Sequence, residues 1–257
     1  MKNPEKRISR LLKTQFLGRK LVYYPSLPST MDTARELAHS GAAEGTTIIA
    51  GTQTAGRGRL GRNWLSPEGA LAMSVILRPE LNQLPQLIMV ASLAVVKTIK
   101  ESTALDARIK WPNDVLIRGK KVCGILTESE IKGHQASFAI VGIGLNINMN
   151  PVAHPDIAAI ATSLSGELSR PVSYEETTAG LLNNLETYYL RVRSGQPVAL
   201  EWRRNMETIG KAVRIRNGNE VVEGIAEDVS ADGALLLRLG DGGLVTIFAG
   251  DVTVIKD

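Results

Sequence analysis

Residues 51–64 read GTQTAGRGRLGRNW, the most unusual stretch in this sequence of 257 residues. The stretch contains three arginines, glycines at Gly56, Gly58 and Gly61, and no acidic residue. Glycines let a backbone approach a ligand closely, and guanidinium groups pair well with phosphate and carboxylate oxygens. The stretch therefore predicts a loop that binds an anionic ligand. A mobile, solvated basic loop is the alternative that these residues leave open.

The same three glycines have the G-x-G-x-x-G spacing of a dinucleotide-binding loop, which would imply a doubly wound fold. Such a loop opens a helix, whereas here Asn63 is followed by Leu-Ser-Pro at 65–67 and by Gly69. Arginines between the glycines would also crowd the backbone N–H groups that bind a pyrophosphate. The sequence context therefore argues against a dinucleotide-binding fold.

The residues on either side of this stretch show strand-like and helix-like patterns in turn. The predicted strands are 21–24, 46–50, 71–77, 108–111, 122–127 and 138–141, and the predicted helices are 32–39, 86–102, 175–193 and 198–208. Strands and helices are mixed but do not alternate strictly. This order favours an α+β fold with a mixed sheet.

The pattern changes after residue 210. Asn-Gly at 217–218 and Asp-Gly at 232–233 and 241–242 are strong hairpin signals, and apolar residues alternate between them. These features predict a small β-barrel of about five strands over 210–257. A larger domain is accordingly expected over 21–209.

Residues 1–20 form a basic leader, with seven lysines or arginines and one glutamate. The whole chain has a net charge of +4, so the remaining residues carry a charge of −2. A basic tail can bind nucleic acid, although a solvated leader helix over 5–17 is the preferred interpretation. Twenty residues are too few for a helix-turn-helix domain. The barrel region has eight acidic and five basic residues and would repel phosphate.

Several classes of protein are excluded by composition. The longest nearly apolar stretch, 87–96, is much shorter than the roughly 20 residues of a membrane span. The single cysteine, Cys123, excludes a disulfide framework and a cysteine-rich zinc site. No apolar segment of a signal peptide follows the basic amino terminus. A cytoplasmic protein without a membrane partner is therefore expected.

Three more stretches carry residues suited to a ligand site. KWPND at 110–114 places Lys110 at a strand end, because proline keeps the residue before it extended. Ser29 precedes a predicted helix, where plain helix capping is the alternative role. VGIGLNIN at 141–148 is an apolar strand that contains Asn146, and a buried asparagine requires hydrogen-bond partners.

Taken together, these stretches resemble the biotin protein ligase family over about residues 21–255. The motifs that carry the resemblance are GRGRLGR with Trp64 at 56–64, KWPND at 110–114, KVCGILTE at 121–128 and GIGLNIN at 142–148. The resemblance implies a catalytic domain related to class II aminoacyl-tRNA synthetases and an SH3-like C-terminal barrel. Because the chain has no room for an amino-terminal winged helix, the monofunctional type without specific DNA binding is expected.

The resemblance also implies the reaction. Biotin and ATP would form biotinoyl-5'-adenylate, and biotin would then be transferred to a lysine of a biotin carboxyl carrier protein domain. ATP and Mg²⁺ would be co-reactants, no tightly bound cofactor is expected, and a homodimer remains open. Fixed cations would offset the repulsion between the biotin carboxylate and the α-phosphate.

The site residues are carried over from the family's motifs. The residues expected to bind biotin are Ser29, Thr30, Met31, Gln53, Gly56, Arg57, Gly58, Arg59, Lys110 and Gly124. Those expected to bind ATP or the adenylate are Arg59, Arg62, Trp64, Lys110, Asn113 and Asn146, with Lys110, Arg59 and Arg62 as the catalytic cations. The residues that would hold the metal are unknown from the sequence. Met31 departs from the asparagine of many members, which removes a side-chain hydrogen bond to biotin at that position.

Two alternatives are weighed against this interpretation. The first is a lipoate or octanoate ligase or transferase of the same fold. A transferase of that kind would use Cys123 as the acceptor of the acyl group. The expected burial of Cys123 on an apolar strand argues against it. The other alternative, a nucleic-acid-binding protein, depends on residues 1–20 alone.

Overall fold

The computed structural model describes residues 3–255, and a seven-stranded sheet forms the centre of its larger part. The strands are β1 (Leu21–Leu27), β2 (Thr47–Gln53), β3 (Ala70–Leu77), β4 (Ala107–Lys110), β5 (Asp114–Ile117), β6 (Lys120–Lys132) and β7 (Gln135–Asn146). Their order in the sheet is β1-β2-β3-β7-β6-β5-β4. β1 and β2 are parallel, and the other neighbouring pairs are antiparallel. The predicted α+β class with a mixed sheet is confirmed.

Helices cover both faces of this sheet. They are α1 (Glu5–Leu11), α2 (Thr30–His39), α3 (Leu87–Thr103), α4 (Leu164–Leu168), α5 (Tyr174–Arg193) and α6 (Ala199–Arg204). Successive strand residues point to opposite faces, and β3 shows the result. Leu71 and Met73 pack on the side of α3 and α5, whereas Ala72 and Ile76 pack on the side of α2. Burial of both faces explains why β3 is apolar at nearly every position.

The C-terminal part is a five-stranded antiparallel sheet, which confirms the predicted strand count. Its strands are β8 (Ala212–Asn217), β9 (Glu220–Val229), β10 (Leu235–Arg238), β11 (Leu244–Ile247) and β12 (Asp251–Val254), in the order β11-β10-β9-β8-β12. Trp111 joins this sheet to the larger part of the fold. Its indole Nε1 donates a hydrogen bond to the carbonyl oxygen of Gly233 at 2.8 Å, and its backbone N–H donates to Thr208 Oγ1 at 3.0 Å.

The amino-terminal segment contradicts the expectation of a solvated leader helix over 5–17. The helix, α1, is only seven residues long, and Ile8 and Leu17 are fully buried. Both carboxylate oxygens of Glu186 on α5 accept hydrogen bonds from the backbone N–H groups of residues 15–17. Apolar spacing alone cannot distinguish a helix from a chain that turns and buries the same side chains. The segment is therefore part of the packed body.

Other predicted boundaries also shift. The helix predicted over 198–208 is the shorter α6, and the strand β5 and the helix α4 were not predicted. Met1 and Lys2 of the predicted leader, and Lys256 and Asp257 of the predicted barrel, lie outside the described residues. Within residues 3–255, no helix combines the length and apolarity that crossing a membrane requires.

Candidate active site

A cavity lies where the arginine loop, residues 54–64, crosses β6 and β7 of the central sheet. The start of α2 forms one end of the cavity, and Asp251 of the C-terminal sheet forms part of another wall. The arginine loop folds back on itself, since Trp64 N donates to Gly56 O at 2.8 Å and Gly58 N donates to Arg62 O at 2.7 Å. Leu60 at its tip is exposed. The loop is therefore shaped by its own backbone and presents its arginines to the cavity.

Three glycines form a flat floor, the glycine floor, from Gly124 of β6 and Gly142 and Gly144 of β7. A methyl group at Gly124 would lie 2.8 Å from Trp64 Cζ3, and one at Gly144 would overlap the same indole. A methyl group at Gly142 would lie 2.5 Å from Met31 Sδ. Only glycine admits a flat group this close to the two strands.

The indole of Trp64 rests on this floor. Lys121 Nζ lies 5.2 Å from the centroid of the indole, within the range of a cation–π contact. The buried indole Nε1 has no hydrogen-bond partner among residues 3–255. Trp64 thus lies in the cavity with an N–H group free to donate.

The end of the cavity at α2 is polar. Thr30 donates to Gln53 Oε1 from its backbone N at 2.8 Å and from Oγ1 at 3.1 Å, and Ser74 Oγ donates to Thr30 Oγ1 at 2.8 Å. Ser29 begins the helix but makes no capping bond with its side chain. Its buried Oγ has no hydrogen-bond partner within the described residues. Capping therefore does not explain Ser29, and its hydroxyl is available to a ligand.

The opposite part of the cavity is rich in positive charge. The lining side chains that carry charge are the cations Arg57, Arg59, Arg62 and Lys121 and the carboxylates Asp114 and Asp251. Four cations against two carboxylates give the lining a surplus of two positive charges. Burial lowers the pKa of the Arg59 guanidinium from its ordinary value, although an arginine stays charged in proteins. The arrangement suits a ligand with several negative charges.

Each of these cations has a partner. Lys121 Nζ lies 2.7 Å from Asp114 Oδ1, and Arg59 donates to Asn113 Oδ1 at 3.0 Å. Arg62 forms an ion pair with Asp251. These contacts hold the charged ends in place, so that less reorganisation is needed when an anionic ligand enters.

Comparisons with known proteins agree with this geometry. Residues 23–146 match the biotin/lipoate A/B protein ligase family, and residues 208–254 match the biotin protein ligase C-terminal domain. The bifunctional ligase/repressor BirA of Bacillus subtilis is 40% identical over 247 residues, which cover 94% of this chain and 76% of that protein. The biotin–[acetyl-CoA-carboxylase] ligase of Mycobacterium tuberculosis is 34% identical, with 96% and 95% covered.

The chain belongs to the biotin protein ligase family. The structure of the biotin protein ligase from Aquifex aeolicus in complex with biotin and ATP superposes with a TM-score of 0.80. It is 29% identical and covers 93% of this chain and 100% of its own. The predicted family is thereby confirmed.

In this member of the biotin protein ligase family, most of the predicted site residues line the cavity. They are Ser29, Thr30, Met31, Gln53, Arg57, Gly58, Arg59, Arg62, Trp64, Asn113 and Gly124. They come from separate parts of the chain, namely α2, β2, the arginine loop, β5 and β6, which the fold brings together around β6 and β7.

Three predicted residues are not brought to the cavity. Lys110 lies at the end of the edge strand β4 and does not line it. Gly56 lies against the backbone of Trp64, so its role is to shape the arginine loop. Asn146 is buried, and its Nδ2 donates to Thr162 O at 2.9 Å, which ties its side chain to the fold.

Three charged residues of the cavity were missed by sequence reasoning. Lys121 is the first residue of the KVCGILTE motif. Its position three residues before Gly124, a predicted biotin-binding residue, could have indicated that it lies near the site. Asp114 ends KWPND and is carried to the cavity by the strand that follows. Asp251 gives no signal in the sequence, because only the docking of the C-terminal sheet brings it to Arg62.

The expected burial of Cys123 is confirmed. Its side chain is fully buried, and burial raises the pKa of the thiol well above its ordinary value. A buried, protonated thiol is a poor nucleophile, which argues against an acyl-enzyme mechanism. Among residues 3–255, no cluster of three or more His, Cys, Asp or Glu side chains is arranged to hold a metal ion.

Proposed function

We propose that this protein activates biotin with ATP to biotinoyl-5'-adenylate and transfers the biotin to a lysine of a biotin carboxyl carrier protein domain. The observation that carries the proposal is one continuous cavity with a polar end, an apolar glycine floor and a cationic end. Biotin has the same order of chemistry, with a neutral polar ring system at one end and a carboxylate at the other. The match to a biotin protein ligase C-terminal domain favours biotin over lipoate.

Biotin is proposed to lie with its ureido group at Ser29 and the start of α2. The free Oγ of Ser29 and the backbone there supply polar partners. Met31 contributes a thioether against Gly142, so this end is narrow and apolar on one side. The aliphatic chain would then run past the indole of Trp64, which covers part of the glycine floor, toward Lys121.

The chemistry follows from the charges at the other end. A carboxylate oxygen of biotin attacks the α-phosphorus of ATP, the bond to the bridging oxygen breaks, and pyrophosphate leaves with its electron pair. Arg59, Arg62 and Lys121 offset the repulsion between the two anions and stabilise the charge that builds at phosphorus. The neutral amine of the carrier lysine then attacks the acyl carbon, and AMP leaves.

Lys121 takes the role that sequence reasoning gave to Lys110. Its ammonium lies in the cavity beside Asp114, whereas Lys110 lies on the edge strand. Mg²⁺ enters as part of the ATP substrate. The Asp114 carboxylate in the cationic part of the cavity fits a cation that keeps one or two carboxylate ligands and otherwise binds phosphate and water.

The finer features of the fold are part of the same proposal. We propose a catalytic domain over 21–209 that is related to class II aminoacyl-tRNA synthetases, and an SH3-like barrel over 210–257. The free thiol of Cys123 fits a reducing cytoplasm. Because α1 packs against α5 and residues 15–17 bond to Glu186, the segment 3–20 is not a mobile tail, although its lysines and arginines stay on the surface.

ATP–pyrophosphate exchange tests this function. Exchange should depend on biotin and should not respond to lipoate or octanoate. With a purified carrier domain, mass spectrometry should show the addition of one biotinoyl group to one lysine. Exchange that depends on lipoate instead of biotin would refute the proposed substrate.

A further inference from the structure

Four charged side chains form a closed ring of ion pairs at the rim of the cavity. Arg57 of the arginine loop contacts Asp32 Oδ1 through Nη2 at 2.8 Å and Glu128 Oε1 through Nη1 at 3.0 Å. Its Nη2 also donates to Glu128 Oε2 at 3.3 Å, so the pair with Glu128 is a two-pronged fork. Arg35 completes the ring through Asp32 at 3.3 Å and through Glu128. We name these four residues the ion-pair ring.

The ion-pair ring connects three walls of the cavity. Asp32 and Arg35 belong to α2, Glu128 belongs to β6, and Arg57 belongs to the arginine loop. Arg57 lines both the main cavity and a second depression beside it, whereas Asp32 and Glu128 line only the second depression. The ring therefore closes the cavity from the outside, and its two carboxylates do not face the proposed ligand.

The middle of the arginine loop, residues 57–62, has few other attachments, whereas Thr54 and Ala55 at its start donate backbone hydrogen bonds to Leu27 and Pro28. Glycines at 56, 58 and 61 give the loop conformational freedom, and Leu60 at its tip is exposed instead of anchored in the core. The other side-chain contacts of the loop are those of Trp64, whose indole packs on the glycine floor, and those of Arg59 and Arg62, the two cations assigned to the phosphate. When these two turn to a ligand, Arg57 keeps its carboxylate partners.

We propose that Asp32 and Glu128 are positioning residues that hold the arginine loop closed through Arg57, and so set the lifetime of the bound adenylate. This inference rests on the proposed function. An acyl-adenylate is a reactive mixed anhydride, and a closed loop keeps water away from it until the carrier lysine arrives. Because the ring side chains are half-exposed, salt should weaken the ring.

Glu128→Gln keeps the size of the side chain and removes its charge. Biotinoyl-adenylate is formed on the enzyme without carrier, and its dissociation rate is measured after a chase with unlabelled biotin and ATP at several salt concentrations. We expect dissociation to be about tenfold faster in the variant at low salt, with a difference that shrinks as salt rises. The rate of adenylate formation at saturating substrate should change less than threefold.

Glu130→Gln is the matched control. Glu130 lies two residues along the same strand with a similar exposure, but it pairs with His39 and Lys132 and not with the loop. Its adenylate lifetime should equal that of the wild type. Asp32→Asn provides a second test from the other side of the ring, and in an Arg57→Gln background Glu128→Gln should have no additional effect.

Three outcomes would overturn the inference. They are an unchanged dissociation rate in both Glu128→Gln and Asp32→Asn, an equal acceleration in Glu130→Gln, or a full additional effect of Glu128→Gln in the Arg57→Gln background. A wild-type protein that forms no biotinoyl-adenylate would instead refute the proposed function, and the inference with it. Normal adenylate formation with unchanged lifetimes refutes only the role of the ion-pair ring.

Discussion

Replacement of Lys121 by methionine removes one positive charge from the cavity and preserves most of the side-chain volume. The position of the ammonium is set by Asp114 Oδ1 at 2.7 Å and by the indole of Trp64, whose centroid is 5.2 Å away. A charge held in this way requires little reorganisation during the reaction. Loss of one such preorganised group costs about 2.7 to 4 kcal/mol in the barrier, or about a 100-fold to 1,000-fold loss of rate.

Part of the effect of Lys121→Met could come from the carboxylate left behind. Asp114 is largely buried and would lose its cationic partner, which costs on the order of 1 to 3 kcal/mol in the free energy of unfolding. The double variant Lys121→Met/Asp114→Asn removes both charges and should recover much of the stability. It should not recover the rate, because the charge at the reacting phosphate is still absent.

Single-turnover formation of biotinoyl-adenylate is the appropriate assay, since it separates chemistry from transfer. Lys110→Met is the matched control and should change the rate less than threefold, because Lys110 does not line the cavity. Lys121→Arg keeps the charge and should retain part of the activity. A fully active Lys121→Met protein, together with an inactive but folded Lys110→Met protein, would refute this reasoning.

Three further predictions concern other parts of the molecule. Glu186→Ala should lower the free energy of unfolding by about 1 to 3 kcal/mol in urea titrations, because three backbone N–H groups lose their acceptor, and Glu186→Gln should cost less. Gly144→Ala should weaken biotin binding in calorimetry while the protein stays folded, since the added methyl group overlaps the indole of Trp64. Wild-type affinity of this variant for biotin would contradict the close packing of Trp64 on the glycine floor. Cys123→Ala should leave adenylate formation nearly unchanged, and loss of turnover in a folded variant would revive the acyl-transferase alternative. The pKa of the Cys123 thiol is raised in the folded state. The thiol therefore contributes fully to the free energy of unfolding below the unfolded thiol pKa of about 8.5, and this contribution decreases as pH rises above that value. Cys123→Ala should abolish this part of the pH dependence.

Local patterns were sufficient for much of the fold. The apolar spacing over 86–102 and 175–193 predicted α3 and α5 within one or two residues, because long periodic segments are decided by burial of one face. The Asn-Gly and Asp-Gly pairs predicted the C-terminal strands for an equally local reason. The short β5 escaped notice, since four residues show no clear period. The helix over 5–17 was extended too far, because α1 ends at Leu11 and the backbone of residues 15–17 bonds to the distant Glu186.

The site divides in the same way. Residues 51–64 alone predict an arginine-rich, glycine-rich loop that suits an anionic ligand, because the charge of arginine and the conformational freedom of glycine are properties of the residues themselves.

Which lysine faces that ligand cannot be predicted from the residues alone. Lys110 and Lys121 are both polar residues at strand ends, and only the strand order, with β6 between β7 and β5 and with β4 at the edge, places one in the cavity and the other outside it. Asp251 reaches Arg62, and Glu128 reaches Arg57, only after distant segments pack together. The sequence determined the chemical groups available to this protein, and the tertiary structure decided which of them meet, because charges separated by many residues interact only when the fold brings them within a few ångströms.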